Sequence, residues 1–237
     1  MTYSVICETG GREKNEDSAS YVKLENNYCF VVADGLGAHG NGDIASRIMT
    51  EAFTREFCTV RENSGAFIKR AFDIAQAEIM SSKQGANDMK TTGAALAIID
   101  GRFSWGHIGD TRLYFFHKSK FRERTLDHSV PQMLALTGEI NDGDIARHPD
   151  RSKLLRAMGD KWEKPGYELS KERKLSRGDA FLICTDGFWE NISNAAIAQT
   201  QKSSANAEEW LAAMLLAVET EGKGSKMDNY SAIAIKT

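Results

Sequence analysis

The sequence predicts an α+β fold in which sheets are covered by helices, and three observations carry that expectation. Short apolar runs separated by turn residues outnumber helical stripes. The helical stripes fall in blocks before and after the main run of strands, not between successive strands as a βαβ alternation requires. Three prolines in 237 residues, with no internal repeat and no low-complexity tract, leave no room for a long linker. The chain therefore reads as one domain, 1–237.

The elements follow in order. SVIC, SASYVKL and YCFVVA read as strands, with Asn26-Asn27 supplying the turn between the second and third. Asp43 to about Cys58 carries Ile44, Ala45, Ile48, Met49, Ala52, Phe53 and Phe57, an apolar stripe at helical spacing. A second helix runs near Ala66 to Met80, and Gly85 to Lys90 reads as a loop. AALAII and RFSWGHI flank Asp100-Gly101, a two-residue hairpin signal. RLYFF and FRERTL continue the sheet across Lys118-Ser119. From Asp127 to about Pro165 the pattern is polar and irregular, with short helical pieces at best. AFLICTD is a further strand, Ala205 to Val218 a helix, and SAIAIK a closing strand.

Composition narrows the functional classes. The chain is 41% hydrophobic and 27% charged, which suits a core of ordinary size. A net charge of -3 gives no electrostatic case for a nucleic-acid or membrane partner. No secretory signal shows at the N-terminus, and no apolar run approaches the ~20 residues that span a bilayer. A cytoplasmic setting is the expectation. Cys7, Cys29, Cys58 and Cys184 are scattered without metal-type pairing and read as reduced, buried, structural residues.

The chemistry lies in the acids. FVVADG and FLICTDG are each an apolar strand that ends in Asp-Gly, at Asp34 and Asp186. Asp228 stands at the entry to the last strand, Asp110 lies in the turn GDTR, and Glu16 and Asp17 precede the second strand. One such aspartate is a turn cap. Several at one end of a sheet repel one another in a low-dielectric place, unless they spread apart or a cation sits among them. Carboxylates and carbonyls suit hard divalent ions such as Mg²⁺ or Mn²⁺, and the glycine after Asp34 and Asp186 lets a carbonyl approach an ion. Zinc is disfavoured, since neither Cys-x-x-Cys nor His-x-x-x-His occurs. A cysteine phosphatase needs an arginine six positions after its cysteine, and Arg12 follows Cys7 by five. The phosphate-loop and Gly-x-Ser-x-Gly signatures are absent.

In order and spacing, GGREKNED, VVADGLGAHGNGDIAS, HIGDTRLYFF, TLDHSV, LLRAMGD, LICTDGFWENIS and MDNYSAIAI resemble the metal-dependent Ser/Thr protein phosphatases of type 2C, in their short bacterial form. The resemblance spans Gly10 to Ile235. It implies a four-layer α/β/β/α sandwich, two packed antiparallel sheets flanked by helices, with a binuclear metal centre at one end. It implies that Asp34 bridges two ions, that Gly35 gives a carbonyl, and that Asp186 and Asp228 hold the second ion. Glu16 and Asp17 would act through water, and Asp110 with Asp186 would form a third site. Arg12 matches the phosphate-binding arginine, and residues 127–165 match the flap.

The implied activity is hydrolysis of phosphoserine and phosphothreonine monoesters on phosphoproteins by a metal-activated water, opposing a Ser/Thr kinase. A monomer suits the family. His39 has two readings of equal standing: general acid for the leaving alkoxide, or a residue that orders its glycine-rich loop. His107, His117, His128 and His148 read as structural. GDTR carries threonine where serine is commoner, and Glu190 stands where the family often has aspartate. Two other classes compete, a phosphoprotein-binding module without turnover and a structural calcium domain. The first would have lost metal ligands, and the second has no use for Arg12 beside Asn15-Glu16-Asp17.

Overall fold

Burial on both faces explains why the central strands are apolar throughout instead of alternating. In this computed structural model, which describes residues 1–37, 41–83, 89–222 and 227–237, two antiparallel sheets pack face to face. Each carries helices on its outer face. β1 (Thr2–Glu8), β2 (Asp17–Leu24) and β3 (Asn27–Leu36) are followed by helices α1 (Gly42–Phe57) and α2 (Ser64–Ser82). Then come β4 (Lys90–Thr91), β5 (Gly93–Ile99), β6 (Arg102–Ile108), β7 (Arg112–His117) and β8 (Lys120–Arg124). Helix α3 (Val130–Thr137), a 3₁₀ turn at Asp142–Arg147, and the short strands β9 (Glu168–Leu169) and β10 (Arg173–Lys174) precede β11 (Asp179–Cys184). Helices α4 (Asp186–Trp189), α5 (Asn194–Ser203) and α6 (Ala207–Gly222) lead to β12 (Tyr230–Lys236).

One sheet has the order β1-β12-β11-β7-β8 and the other β10-β6-β5-β3-β2, with β4 on β3 and β9 on β6. The period of two in a strand sorts residues between the layers. Phe30 and Val32 of β3 meet Phe181 and Ile183 of β11 and Ile233 and Ile235 of β12 in the interior between the sheets. Their neighbours Cys29, Val31 and Ala33 face α1 and α2, against Met49, Phe53, Phe67 and Phe72. On the other sheet Ala180, Leu182 and Cys184 face α6, against Trp210, Met214 and Val218. The hairpin turns fall where their residues tolerate positive φ: Asp100 at 51° with Gly101 at 70°, and Lys118 at 49° with Ser119 at 56°.

Four features differ from the sequence expectation. The β2–β3 turn is Glu25-Asn26, with Glu25 at φ 55°, because Asn27 already pairs with Leu24. Asn27 Oδ1 instead accepts the Asp100 N–H at 2.9 Å and ties two turns together. Helix α5 was not expected, since only Ile197 and Gln201 of its ten residues are buried. Helix α6 starts at Ala207 because Asn206 caps it, Oδ1 accepting the Glu209 N–H at 2.9 Å. Of the four free cysteines, Cys29 and Cys184 are buried, whereas Cys7 and Cys58 are exposed. The expected loop at Gly85 to Lys90 lies outside the described residues up to Asp88, and Lys90 opens β4.

Trp210 anchors the α6 layer. It is fully buried, edge-on to Phe116 at 5.7 Å, and its Nε1–H donates to Ile197 O at 3.3 Å. Trp210→Ala is expected to cost about 3–5 kcal/mol. That lowers the thermal midpoint by on the order of 10 °C in calorimetry, while cation binding at the far end of the sheets stays unchanged.

Candidate metal centre

The strands deliver their acids to one end of the sandwich. Asp34, near the end of β3, lies directly across from Asp17 in the β2–β3 register. Asp186 opens α4 where β11 ends, and Asp228 precedes β12, which runs beside β11. Asp110 sits in the turn between β6 and β7. The five carboxyls are close enough to repel one another. Burial first, and then Asp186, Asp17, Asp110 and Asp228, push Asp34 well above the carboxylate range. Burial raises Asp17 to about 7 and, with Asp228, Asp186 to about 6. Burial and then Asp186 raise Asp110 strongly. Glu190, one turn after Asp186, is raised to about 7 by burial and Asp186.

Backbone packing fixes these positions. A Cβ on Gly35 would stand 2.3 Å from the Gly42 carbonyl carbon, so only glycine lets α1 begin against β3. A Cβ on Gly187 would meet Asn229 O at 2.1 Å, and its absence brings α4 and the Asp228 segment together. The backbone carbonyl of Asp34 accepts from Thr92 N–H at 2.8 Å and Thr91 Oγ1 at 2.7 Å. Thr185 Oγ1 donates to Asp17 Oδ2 at 2.9 Å. The Glu16 N–H donates to Asn229 Oδ1 at 2.8 Å, while Asn229 Nδ2 donates to Thr9 O and Lys14 O. Asn229 thus clamps the whole β1–β2 loop that carries Arg12, Glu16 and Asp17. Sequence reasoning passed over Asn229, Thr91 and Thr185, and the one available signal was that Asn229 adjoins Asp228.

Arg12 reaches the rim, its Nη2 2.6 Å from Asp228 Oδ2. Behind Asp110, the Arg112 guanidinium lies 3.4 Å over the Trp189 ring and donates through Nε and Nη2 to the two oxygens of buried Asp127. Trp189 Nε1–H donates to Asp110 O at 2.9 Å. His107 and His128, which with Glu168 make a group that no sequence spacing revealed, stack at 4.7 Å. His128 Nδ1 accepts the Gly109 N–H of that turn, and His107 Nε2 bonds Leu126 O in the segment after β8. The 127–165 segment closes one side. Its Met158 pairs with Thr91, and its Arg151 donates to Glu190 at 3.2 Å. His39 lies outside the described residues.

This donor set fits a hard divalent cation. It is all oxygen, it is anionic beyond what the nearby arginines balance, and Asp110 Oδ1 is buried with no hydrogen-bond partner among the described residues.

Carboxyls raised in the folded state bind protons more tightly there than in the unfolded chain. Their contribution to stability is therefore full below about pH 4 and falls as pH rises through 6 to 7. Asp186→Asn removes one charge and keeps an acceptor for the Gly187 N–H. In EDTA the variant is expected to melt above wild type at pH 8 and level with it at pH 5. Excess Mg²⁺ should reverse the order at pH 8.

Residues 10–230 match the protein phosphatase 2C family model. The serine/threonine phosphatase stp of Listeria monocytogenes is 29% identical over 204 residues, covering 81% of this chain and 79% of that protein. The structure of the serine/threonine phosphatase Stp1 from Staphylococcus aureus superposes with a TM-score of 0.86 at 22% identity, covering 100% of this chain and 95% of that one. The catalytic domain of the serine threonine protein phosphatase PstP, solved in complex with 2 manganese ions, gives 0.82 at 23%, covering 98% and 96%. At these identities the structures establish the shared sandwich, and the family match over nearly the whole chain establishes descent. The chain belongs to the protein phosphatase 2C family.

Proposed function

We propose that the chain, as one catalytic domain with residues 127–165 as its flap, hydrolyses phosphoserine and phosphothreonine monoesters on proteins. The observation that carries this reading is the convergence of Asp34, Asp110, Asp186 and Asp228 beneath an arginine fork at the rim. Asp34, the Gly35 carbonyl, Asp186 and Asp228 would hold two Mg²⁺ or Mn²⁺ ions; the PstP domain was solved in complex with two manganese ions. Asp110 with Asp186 would hold a third, and Glu16 and Asp17 would act through water. Cations bound there supply an activated water and neutralise phosphoryl charge.

The chain's own residues do the rest. Arg12 exchanges its Asp228 partner for the incoming phosphoryl group, which its planar fork can hold through two oxygens. Asn229 keeps that arginine's loop in place, and Trp189 with Arg112 keeps Asp110 aimed inward. His39, five residues beyond Asp34, is the candidate donor of the proton that the leaving alkoxide needs. A Ser/Thr kinase as the opposing activity, a cytoplasmic setting and a monomeric state complete the proposal. No described helix is long and apolar enough to cross a membrane.

The test is phosphate release from a phosphothreonine peptide. Turnover is expected with Mn²⁺ or Mg²⁺, none with EDTA, and none in Asp186→Asn. Turnover that survives EDTA, or a folded wild type inactive with every metal, would overturn the proposal, the second in favour of a phosphoprotein-binding module. Arg12→Ala is expected to lower kcat/KM by about 10²-fold. Arg12→Lys should recover only part of that, because it restores the charge without the fork.

A further inference from the structure

The sequence argues against zinc because no close Cys or His spacing occurs, yet strand pairing gathers a nitrogen-bearing donor set from positions far apart. His107 in β6 lies directly across from Glu168 in β9. The backbone at His128 runs beside the end of β6, its N–H donating to Gly109 O at 2.9 Å. One ring nitrogen from each histidine and one Glu168 oxygen thereby fall within 4.8 Å of one another. His128 Nε2 and Glu168 Oε1 are already 3.3 Å apart. That is about the separation of two ligands on one tetrahedral zinc with bonds of ~2.0–2.1 Å. Both imidazoles are buried, whereas the Glu168 carboxyl is half exposed. His107 and Glu168 line a cavity of about 540 Å³, which gives a cation its way in.

The hydrogen bonds decide which ring nitrogens carry protons. His107 Nε2 lies 2.8 Å from Leu126 O. A carbonyl only accepts, so Nε2 holds the proton and Nδ1 keeps its lone pair. A metal-bound histidine has this arrangement, its second nitrogen donating to a carbonyl. His128 Nδ1 accepts the Gly109 N–H at 3.2 Å, so in the metal-free protein its proton is on Nε2. That Nε2 is buried without a hydrogen bond among the described residues, although Glu168 is near. A histidine kept only for packing satisfies both nitrogens; this one does not. Burial lowers the pKa of His107, and burial and then His107 lower that of His128 to about 4, so both rings are neutral at pH 7. Arg156 holds Glu168 at 3.4 Å in a half-exposed pair, which a cation displaces at small cost.

We propose that His107, His128 and Glu168 form a Zn²⁺ site separate from the carboxylate centre, with water as the fourth ligand. Two imidazoles select zinc over magnesium, which the all-oxygen centre suits. On binding, the His128 ring gives its Nε2 proton to solvent and takes one at Nδ1. Nδ1–H then faces the Gly109 N–H, so that hydrogen bond breaks, and Gly109 leads into Asp110. A cation here therefore loosens the turn that holds Asp110, and by reciprocity a cation on Asp110 weakens this site. Zinc binding stands apart from the phosphatase reading, whereas its effect on Asp110 as a metal ligand rests on that reading.

The test titrates the full chain, in excess Mg²⁺, with Co²⁺ as a coloured stand-in for zinc and then with Zn²⁺. One Co²⁺ per chain is expected, with the intense visible bands of a four-coordinate ion, in wild type and in Asp186→Asn alike. Glu168→Gln changes a half-exposed side chain, so it should fold, and it should weaken Co²⁺ binding by roughly ten-fold or more. His107→Asn should remove the bands. Zn²⁺ should displace Co²⁺, shift the ¹⁵N resonance of His128 Nδ1 to that of a protonated nitrogen, and speed exchange of the Gly109 amide. Absence of four-coordinate bands in wild type would overturn the proposal, as would bands that both Glu168→Gln and His107→Asn leave unchanged. Bands lost in Asp186→Asn would also overturn it, by assigning the ion to the carboxylate centre. A Gly109 amide unchanged with zinc bound would overturn the link to Asp110. None of these readouts needs turnover, so their failure is distinct from failure of the phosphatase reading.

Discussion

Repulsion among buried carboxylates is the constraint on which the rest of this structure depends. Five aspartates meet at one end of the sandwich, and burial and mutual charge raise four of them. Left alone, such a cluster would push its strands apart, so its neighbours are built to hold it. Thr91 and Thr92 bind the Asp34 carbonyl, Thr185 reaches Asp17, and Asn229 pins the β1–β2 loop. Strain of this kind is kept where a ligand relieves it.

The two-sheet architecture is what makes the cluster possible. Asp34 lies near the end of β3 and Asp186 just past β11, one strand in each sheet, and their twin Asp-Gly steps are points of close backbone approach. Gly35 lies against Gly42, and Gly187 lies against Asn229. Because both faces of each sheet are covered, the strands hold the acids on a rigid frame. The irregular 127–165 segment lies beside it, with Met158 paired to Thr91 and Arg151 bonded to Glu190. Rigid support below and a loop-rich rim above is the division of labour expected of a site that must position charge.

Much of this was legible in the sequence, for a physical reason. Strands buried on both faces write continuous apolar runs, and α1, α2 and α6 write clear stripes, so type and order could be read directly. Asp34, Asp186, Asp110 and Asp228 could be read because acids at the ends of apolar strands stand out against their surroundings. What could not be read depends on partners distant in sequence. Helix α5 buries too little to leave a stripe. The β2–β3 turn is set by pairing of Asn27 with Leu24, which no local rule encodes. Asn229 acts only because residues 9, 14 and 16 fold back onto it.

The most direct test of the central claim is calorimetric titration of Mn²⁺ into the metal-free protein at pH 7, repeated in buffers of different ionisation enthalpy. Raised carboxyls that share a site must lose protons when a cation replaces them. Two strongly bound ions with net proton release are expected. Binding without proton release, or no binding to a folded protein, would contradict the view that these acids form one electrostatic unit built for cations.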